Sequence, residues 1–511
     1  MKCETNIRNI LLVSLPRTVV NWYSQTLVLN SLISFWSKYC AERGINYKII
    51  ESLPNEIRLY SDLIQAADLI VFVWNGPVFL KVLRGDLKFK KDSLIYLAGE
   101  GSRGFAYSIE SNAYITSKDT FICSSEADQI TLSLSLPEAK SIILPYIVEN
   151  TKTASKRRST NDRSNKTQIR LFYIGRISEQ KNLHALFLGL KVFSMKNPLV
   201  NFVLDIYGFD DNLGSPNMHL IYPNYLEFLK ELARLLDVSK YINWNGFLNN
   251  FAIKLLVESK THIFLSTSLY SEECFGLAPL DSLINGNAAV LTAWGGFLDF
   301  KEKFNHLVEL IPVRQSLSGP YICPFDIAEK MQKQTEKYTR DDQRDDIPVY
   351  YSLEMKKTKI DRLLCKIASS KSIIKYIPHS EWFKKIQRQI KLKNKEIKKS
   401  LNELNLRIYE NYQDSLLIHP FRIYGMNMNH GDFNQNIRRS KSIMLPPWVD
   451  VIEDQILVRD PHRGNLTLNI KRSEDDFIYI AQQFPNKTIP ISGAIAEQLY
   501  NHGYLFLDTL S

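Results

Sequence analysis

Along the first 150 residues, short apolar runs alternate with longer stretches whose apolar positions recur at helical spacing. The runs fall at 10–14, 47–50, 69–73, 94–97, 121–123 and 142–145, with an amphipathic stretch at 26–43 long enough for a crossover helix. Strands separated by helices imply a parallel sheet covered on both faces. Residues 151–168, TKTASKRRSTNDRSNKTQ, are polar, basic and aperiodic, and read as an exposed linker. The alternation then restarts, with apolar runs at 171–174, 202–207, 242–244, 263–265 and 288–291. The pattern predicts two doubly wound α/β units, 1–150 and 169–330. Sheets of this kind bind ligands outside the carboxyl ends of their strands, so two facing units make a cleft.

Beyond residue 330 the pattern changes. Residues 331–409 read as a basic helical segment, and residues 410–511 as a small accessory α+β domain with three or four short strands. That tail carries one hairpin signal: 456–458, the turn Asp460-Pro-His-Arg-Gly464, then 466–470, followed by a last helix near 492–503.

Composition changes this picture little. With 45% hydrophobic and 23% charged residues in 511, the chain is globular and long enough for several cores. No run of about 18 to 20 apolar residues is present, so no segment reads as spanning a bilayer. The apolar run near the amino terminus is as short as a buried strand and lacks a small-residue cleavage site. Six scattered cysteines without a CxxC pair suggest neither a disulfide framework nor a zinc site, and they suit a reducing cytosol.

Charge is more telling. The formal net charge is +10, yet residues 355–403 hold 15 Lys and Arg against 4 acids. The rest of the chain is therefore nearly neutral, which argues against a nucleic-acid-binding surface spread over the protein. Within 380–404, apolar residues from Trp382 to Leu404 keep helical spacing with lysines between them. Such a helix suits an anionic membrane surface, or equally packing on the protein with its basic face in water.

Two strings carry the chemistry. The first is Glu273-Cys-Phe-Gly-Leu-Ala-Pro-Leu-Asp281, continuing to Gly286 and Gly295-Gly296. Phe275, Gly276 and Leu277 would open a helix whose free amides and dipole hold a diphosphate. Glu273 before it can accept hydrogen bonds from sugar hydroxyls, and Asp281 within it can take a ribose diol. Glu272 is the other carboxylate at that turn, but the spacing to Phe275-Gly276 favours Glu273. The second string is Gly175-Arg-Ile-Ser-Glu-Gln-Lys181, in which a strand ends on a glycine and two cations follow. Gly175 lets a ligand approach the backbone, and Arg176 and Lys181 suit a pyrophosphate leaving group.

Together these strings resemble the E-x7-E and G-R-x4-K signatures of retaining GT-B glycosyltransferases, especially glycosyltransferase family 4. The resemblance covers about residues 5–330 and is strongest over 170–300. It implies a GT-B fold and transfer of a sugar from a nucleotide-sugar donor with retention of anomeric configuration. The nucleotide-sugar would be a co-substrate, with no cofactor and no metal. It also implies donor contacts from Gly208, at the end of Val203-Leu-Asp-Ile-Tyr-Gly208, and from Phe247 in Asn245-Gly-Phe247. Asp281 stands where the family has its second Glu. The first unit lacks both the family's glycine-rich loop, replaced by Ser14-Leu-Pro-Arg-Thr18, and its His, since all nine histidines lie at or beyond His184. In that His position stands 98–104, where Glu100 and Arg103 are candidate acceptor contacts. The absent His also disfavours an inverting enzyme with a His base. No DxD follows a strand, so cations and helix starts would do a metal's electrostatic work.

The expected activity is sugar transfer to a glycan, lipid-linked or protein acceptor, in the cytoplasm or at the inner membrane face. The competing expectation is a scaffold subunit that keeps the fold without turnover. Two echoes in the tail, the loop His430-Gly-Asp432 of phosphotransferases and a His430, Asp432, His502 iron triad, lack the surrounding fold each would need.

Overall fold

A computed structural model describes residues 6–18, 23–73, 76–97, 114–146, 168–210, 224–248, 262–270, 273–340, 349–369, 374–378, 380–381, 384, 432–452, 455–470, 477–483 and 487–508. In the first unit, strands β1 (Asn9–Ser14), β2 (Asn46–Glu51), β3 (Leu69–Phe72), β4 (Asp92–Leu97), β5 (Asp119–Cys123) and β6 (Lys140–Ile143) form one sheet in the order β2-β1-β3-β4-β5-β6. Every pairing is parallel. The inner strands are buried along nearly their whole length, which is why each reads as an unbroken apolar run. The expected crossover helix spans Tyr23–Arg43.

The second unit repeats the design with β7 (Ile169–Ile174), β8 (Phe202–Tyr207), β9 (Ile242–Trp244), β10 (His262–Ser266), β11 (Ala288–Thr292) and β12 (Val308–Ile311), ordered β12-β11-β10-β7-β8-β9 and again parallel. The chain winds outward in one direction from β7 and in the other from β10. The crevice where a ligand binds such a sheet therefore opens between the carboxyl ends of β7 and β10. The architecture is the expected one: α/β, two Rossmann-like units, with further helical and α+β elements.

The apolar pattern missed β12 because Glu309 interrupts it. That carboxylate is buried at the strand and is paired with Lys333 and Lys337. Burial raises the Glu309 carboxyl, and the surrounding lysines outweigh that and hold it low.

The basic segment divides between the units. Helix Pro324–Arg340 packs on helix Leu183–Lys196, whose Gly189 lies so close to Ile327 that a Cβ there would collide with it. Helix Leu183–Lys196 is buried around nearly its whole circumference as far as Phe193, so that part is apolar all round rather than amphipathic. Helix Leu353–Ser369 returns to the first unit. There Asp361 accepts from Tyr39 Oη at 2.6 Å and pairs with Arg43 at 2.7 Å, while Lys357 donates to Glu42 at 2.9 Å. Of residues 380–404, only 380, 381 and 384 are among those described, so the amphipathic reading lies outside them.

The tail holds more strands than its sequence suggests. Seven are present among the described residues: Ile443–Leu445, Val449–Ile452, Gln455–Asp460, Gly464–Asn469, Ile478–Gln483, Lys487–Ser492 and Phe506–Leu507. They are short and separated by irregular turns, so alternation has little length in which to show itself. The expected hairpin is present, pairing Ile456 with Leu468 and Asp460 with Gly464. Tail residues Trp448, Val458, Leu499 and Tyr504 share one hydrophobic core with Leu186, Leu190 and Leu269 of the second unit.

Cys40, Cys123, Cys274 and Cys323 are buried and form no disulfide. Cys365 is disulfide-bonded, which corrects the expectation of no disulfide; its distance from every other cysteine in sequence hides the pairing. Among the described residues no helix is long and apolar enough to cross a membrane.

The two units meet beside the cleft. Ser124 Oγ donates to the Cys274 carbonyl at 3.3 Å, the rings of Tyr146 and Phe275 meet edge-on at 5.2 Å, and Asp299 accepts from the Glu126 amide at 3.1 Å. Burial pushes the Asp299 carboxyl up to about 7, against the pull of the Glu126 N–H. An acid with a raised folded pKa stabilises the fold at pH below its unfolded pKa, and that contribution is lost as pH rises through the folded value. The thermal midpoint of the wild type relative to Asp299→Asn should therefore fall as pH is raised from about 4 to about 7. Scanning calorimetry of both proteins across that range checks it, and parallel curves would refute it.

Candidate active site

The site forms where β7 and β10 end side by side. After β7 the chain passes Gly175 and Arg176, and Tyr173 Oη donates to the Arg176 carbonyl at 2.6 Å, fixing that turn. A single 3-10 turn, Glu179–Lys181, follows, and Asn182 then takes a left-handed conformation (φ 57°) to start the next helix. Gly208, just past β8, is required by space: a Cβ there would collide with the Gly175 carbonyl.

After β10 the loop Thr267–Tyr270 runs against this segment and bonds to it. Thr267 Oγ1 donates to the Asn182 carbonyl at 2.9 Å, and the Leu269 amide donates to the Gln180 carbonyl at 3.2 Å. The loop reaches Glu273, whose Oε2 accepts from Lys181 Nζ at 2.5 Å and from Ser268 Oγ at 2.7 Å. The Tyr270 ring lies against both cations, with the Arg176 guanidinium carbon 5.4 Å and Lys181 Nζ 5.0 Å from its centroid. Arg176, Lys181 and Glu273, predicted from separate strings, thus converge on one spot.

Behind Glu273 the backbone is held by glycines. The Gly296 amide donates to the Glu273 carbonyl at 2.9 Å, and a Cβ on Gly295 (φ 55°) would collide with that carbonyl. The Trp294 indole donates to the Tyr270 carbonyl at 2.8 Å, so the loop is fixed from a second side. Burial pushes the Glu273 carboxyl upward, but the Lys181 ammonium, the Ser268 hydroxyl and Arg176 together hold it below its ordinary value. One ionised carboxylate against two cations leaves this trio positive, the sign a diphosphate needs.

Gly276 (φ 88°) caps helix Leu277–Ile284, and Phe275 before it is buried against the first unit. The amides at the start of this helix are those that a helix leaves to outside partners, with Pro279 contributing none. Asp281 lies a turn further on, half-buried. Phe247 is exposed beyond β9 and stacks on Phe209, with ring centroids 5.1 Å apart and planes 12° apart. The Gly208 amide donates to the Gly246 carbonyl at 2.8 Å, joining the two ring-bearing turns.

Sequence reasoning missed Ser268, Tyr270 and Phe209. Their only signal is position, directly after a strand of the second sheet or directly after the glycine that ends one. Glu272, Glu100, Arg103 and His430 lie outside the described residues. Arg17, in the stretch replacing a glycine-rich loop, pairs with Glu51 at 3.0 Å. Among the described residues no group of three or more His, Cys, Asp or Glu is placed to hold a metal ion.

Residues 155–308 match the family model for glycosyl transferases group 1. No curated protein matches the chain in sequence. Among solved structures it is similar to the lipopolysaccharide outer core galactosyltransferase WaaB in its apo form, at 15% identity and TM-score 0.44, over 70% of this chain and 97% of that one. It is also similar to an E. coli trehalose-6-phosphate structure bound with UDP-2-fluoro glucose, at 9% identity and TM-score 0.48, over 72% and 100%. A third is the pneumococcal O-GlcNAc transferase GtfA in complex with UDP and GlcNAc, at 12% identity and TM-score 0.40, over 61% and 60%. The group 1 match lies on the second unit, the one that carries Arg176, Lys181 and Glu273.

Proposed function

We propose that the chain transfers a sugar from a nucleoside-diphosphate sugar to an acceptor, with retention of anomeric configuration and without a metal ion. The observation that carries this reading is the Arg176–Lys181–Glu273 cluster at the switch point, with Ser268 and Tyr270 holding it. With donor bound, Lys181 and Arg176 take the diphosphate, and Glu273 accepts hydrogen bonds from the sugar hydroxyls. The amides of Leu277 and Ala278 add to the diphosphate's partners. Asp281 takes the ribose, and Phe247 with Phe209 offers the nucleobase a flat apolar face.

The acceptor hydroxyl attacks the anomeric carbon from the face that the diphosphate leaves. The bond from that carbon to the diphosphate oxygen breaks as the new glycosidic bond forms. The departing phosphate oxygen takes the hydroxyl proton, so no protein base is required. The side chains supply positioning and charge stabilisation, which account for large rate factors when preorganised. The acceptor, a glycan, a lipid-linked sugar or a protein, would enter from the first unit, with Glu100 and Arg103 as contacts. Residues 380–404 would hold the enzyme on an anionic membrane surface at the cytoplasmic side.

Calorimetric titration with UDP, GDP, ADP, CDP and dTDP in EDTA tests the donor half. One nucleotide should bind, and Arg176→Ala should weaken it about tenfold or more, the loss of one charge-assisted contact. Binding of none, or binding that needs a divalent ion, would overturn the assignment.

A further inference from the structure

Two glycines leave room for two successive carbonyls beside the donor cluster, and those carbonyls turn to different units. A Cβ on Gly295 would collide with the Glu273 carbonyl, and one on Gly296 with the carbonyl of Cys274. The first carbonyl accepts from the Gly296 amide of its own unit at 2.9 Å. The second faces the other unit, whose Ser124 Oγ donates to it at 3.3 Å. The next residue, Phe275, meets the ring of Tyr146 of the first unit edge-on at 5.2 Å.

Both contacts are closed to water: Ser124, Tyr146, Cys274 and Phe275 are all buried. A hydrogen bond in such surroundings is stronger than one in solvent, and no bulk water stands ready to replace it.

Ser124 is itself held in place. It directly follows β5, and its Oγ lies 2.6 Å from Asp128 Oδ2, in the first turn of helix Glu126–Ser135. The hydroxyl's one proton is shared between that carboxylate and the Cys274 carbonyl. The start of the same helix is fastened to the second unit, since Asp299 accepts from the Glu126 amide at 3.1 Å. Asp299 stands in helix Phe297–Lys303, which Gly296 opens. Glu273 is thereby set from both units. Lys181 and Ser268 hold its carboxylate, Gly296 holds its carbonyl, and the first unit holds the carbonyl and ring that follow. Arg176 and Lys181 stand on a different segment, the one after β7. What this grip governs most directly is therefore the sugar that Glu273 holds, rather than the diphosphate.

We propose that Ser124 is a positioning residue for Glu273, through which the first unit sets the carboxylate that holds the donor sugar. The sugar is then read by the two units together, while the diphosphate depends on the second. This rests on the donor-site reading above for its effect on the sugar, though not for its effect on the backbone at Cys274.

The test compares Ser124→Ala, Glu273→Ala and the double variant with the wild type, all as the full chain. The ligands are the nucleoside diphosphate that binds in the titration above and its glucose, galactose and N-acetylglucosamine esters. The ester whose affinity Glu273→Ala lowers most serves as the probe. Ser124→Ala should weaken that ester about fivefold, the worth of one hydrogen bond, and the diphosphate by less than about twofold. Added to Glu273→Ala, the serine change should cost the ester nothing further, because both substitutions remove the same interaction. Hydrogen–deuterium exchange over 273–276 should quicken in Ser124→Ala. Equal losses for ester and diphosphate, losses that add in the double variant, or unaltered exchange would each overturn the proposal. If no diphosphate binds, or Glu273→Ala spares every ester, the donor reading falls, and exchange over 273–276 alone decides whether Ser124 sets the backbone there.

Discussion

Lys181→Ala should lower kcat/KM by about 10²- to 10³-fold, the usual cost of removing one preorganised charge that stabilises a leaving group. It should also destabilise the protein, because Lys181 and Glu273 are largely buried side by side. Without the ammonium, Glu273 keeps only Ser268 and the more distant Arg176 against its burial. Leaving one member of a buried pair uncompensated costs about 3 kcal/mol. The carboxyl escapes by protonating, and this gives the substitution a pH signature. Glu273 has a depressed folded pKa, so its contribution is present above the unfolded pKa and lost as pH falls through the folded value. In Lys181→Ala that contribution is absent, and the stability gap to the wild type should close as the solution is acidified. Adding Glu273→Gln should restore stability without restoring activity. Urea unfolding of the single and double variants near neutral pH, with turnover assayed alongside, separates the two effects. Recovery of activity in the double variant would mean that Lys181 merely balances Glu273.

What could be read in advance follows from where each residue stands. Arg176 stands just beyond the end of β7, while Lys181 and Glu273 lie about two turns of chain past β7 and β10, so a change from hydrophobic to polar and charged residues opens both strings. Gly208 came from the resemblance alone; the reason for a glycine there, a Cβ colliding with the Gly175 carbonyl, shows only in the fold. Ser268 and Tyr270 follow a strand equally closely, but a serine and a tyrosine have ordinary uses everywhere, and their role exists only once β10 lies beside β7. β12 was hidden by Glu309, a buried charge made tolerable by lysines from another helix. The hairpin turn at Asp460–Gly464 was legible, but not its burial: its charges satisfy one another and two backbone carbonyls, which only the fold brings together.

Arg463→Ala should be the most destabilising single substitution in the tail, by about 4 kcal/mol, because it strands several polar groups at once. Asp460 would keep its backbone donors but lose the guanidinium that offsets its burial, and the carbonyls of His502 and Gly503 would lose a donor. Burial raises the Asp460 carboxyl, and Arg463 first among its neighbours brings it below its ordinary value. The contribution of Asp460 is therefore present above the unfolded pKa and lost as pH falls through the folded one. The deficit of Arg463→Ala should be full near neutrality and narrow below about pH 4, the unfolded value. Paired with Asp460→Asn, Arg463→Met should recover most of the loss, since a buried ion pair replaced by neutral groups of similar size is often close to neutral in stability. Thermal melts across pH read all three proteins. Because Trp448, Leu499 and Tyr504 lie in one core with Leu186 and Leu269, the melt should stay a single transition that carries the donor unit with it. A separate early transition, with nucleotide binding intact above it, would instead make the tail a module that folds by itself, and the buried turn a local matter.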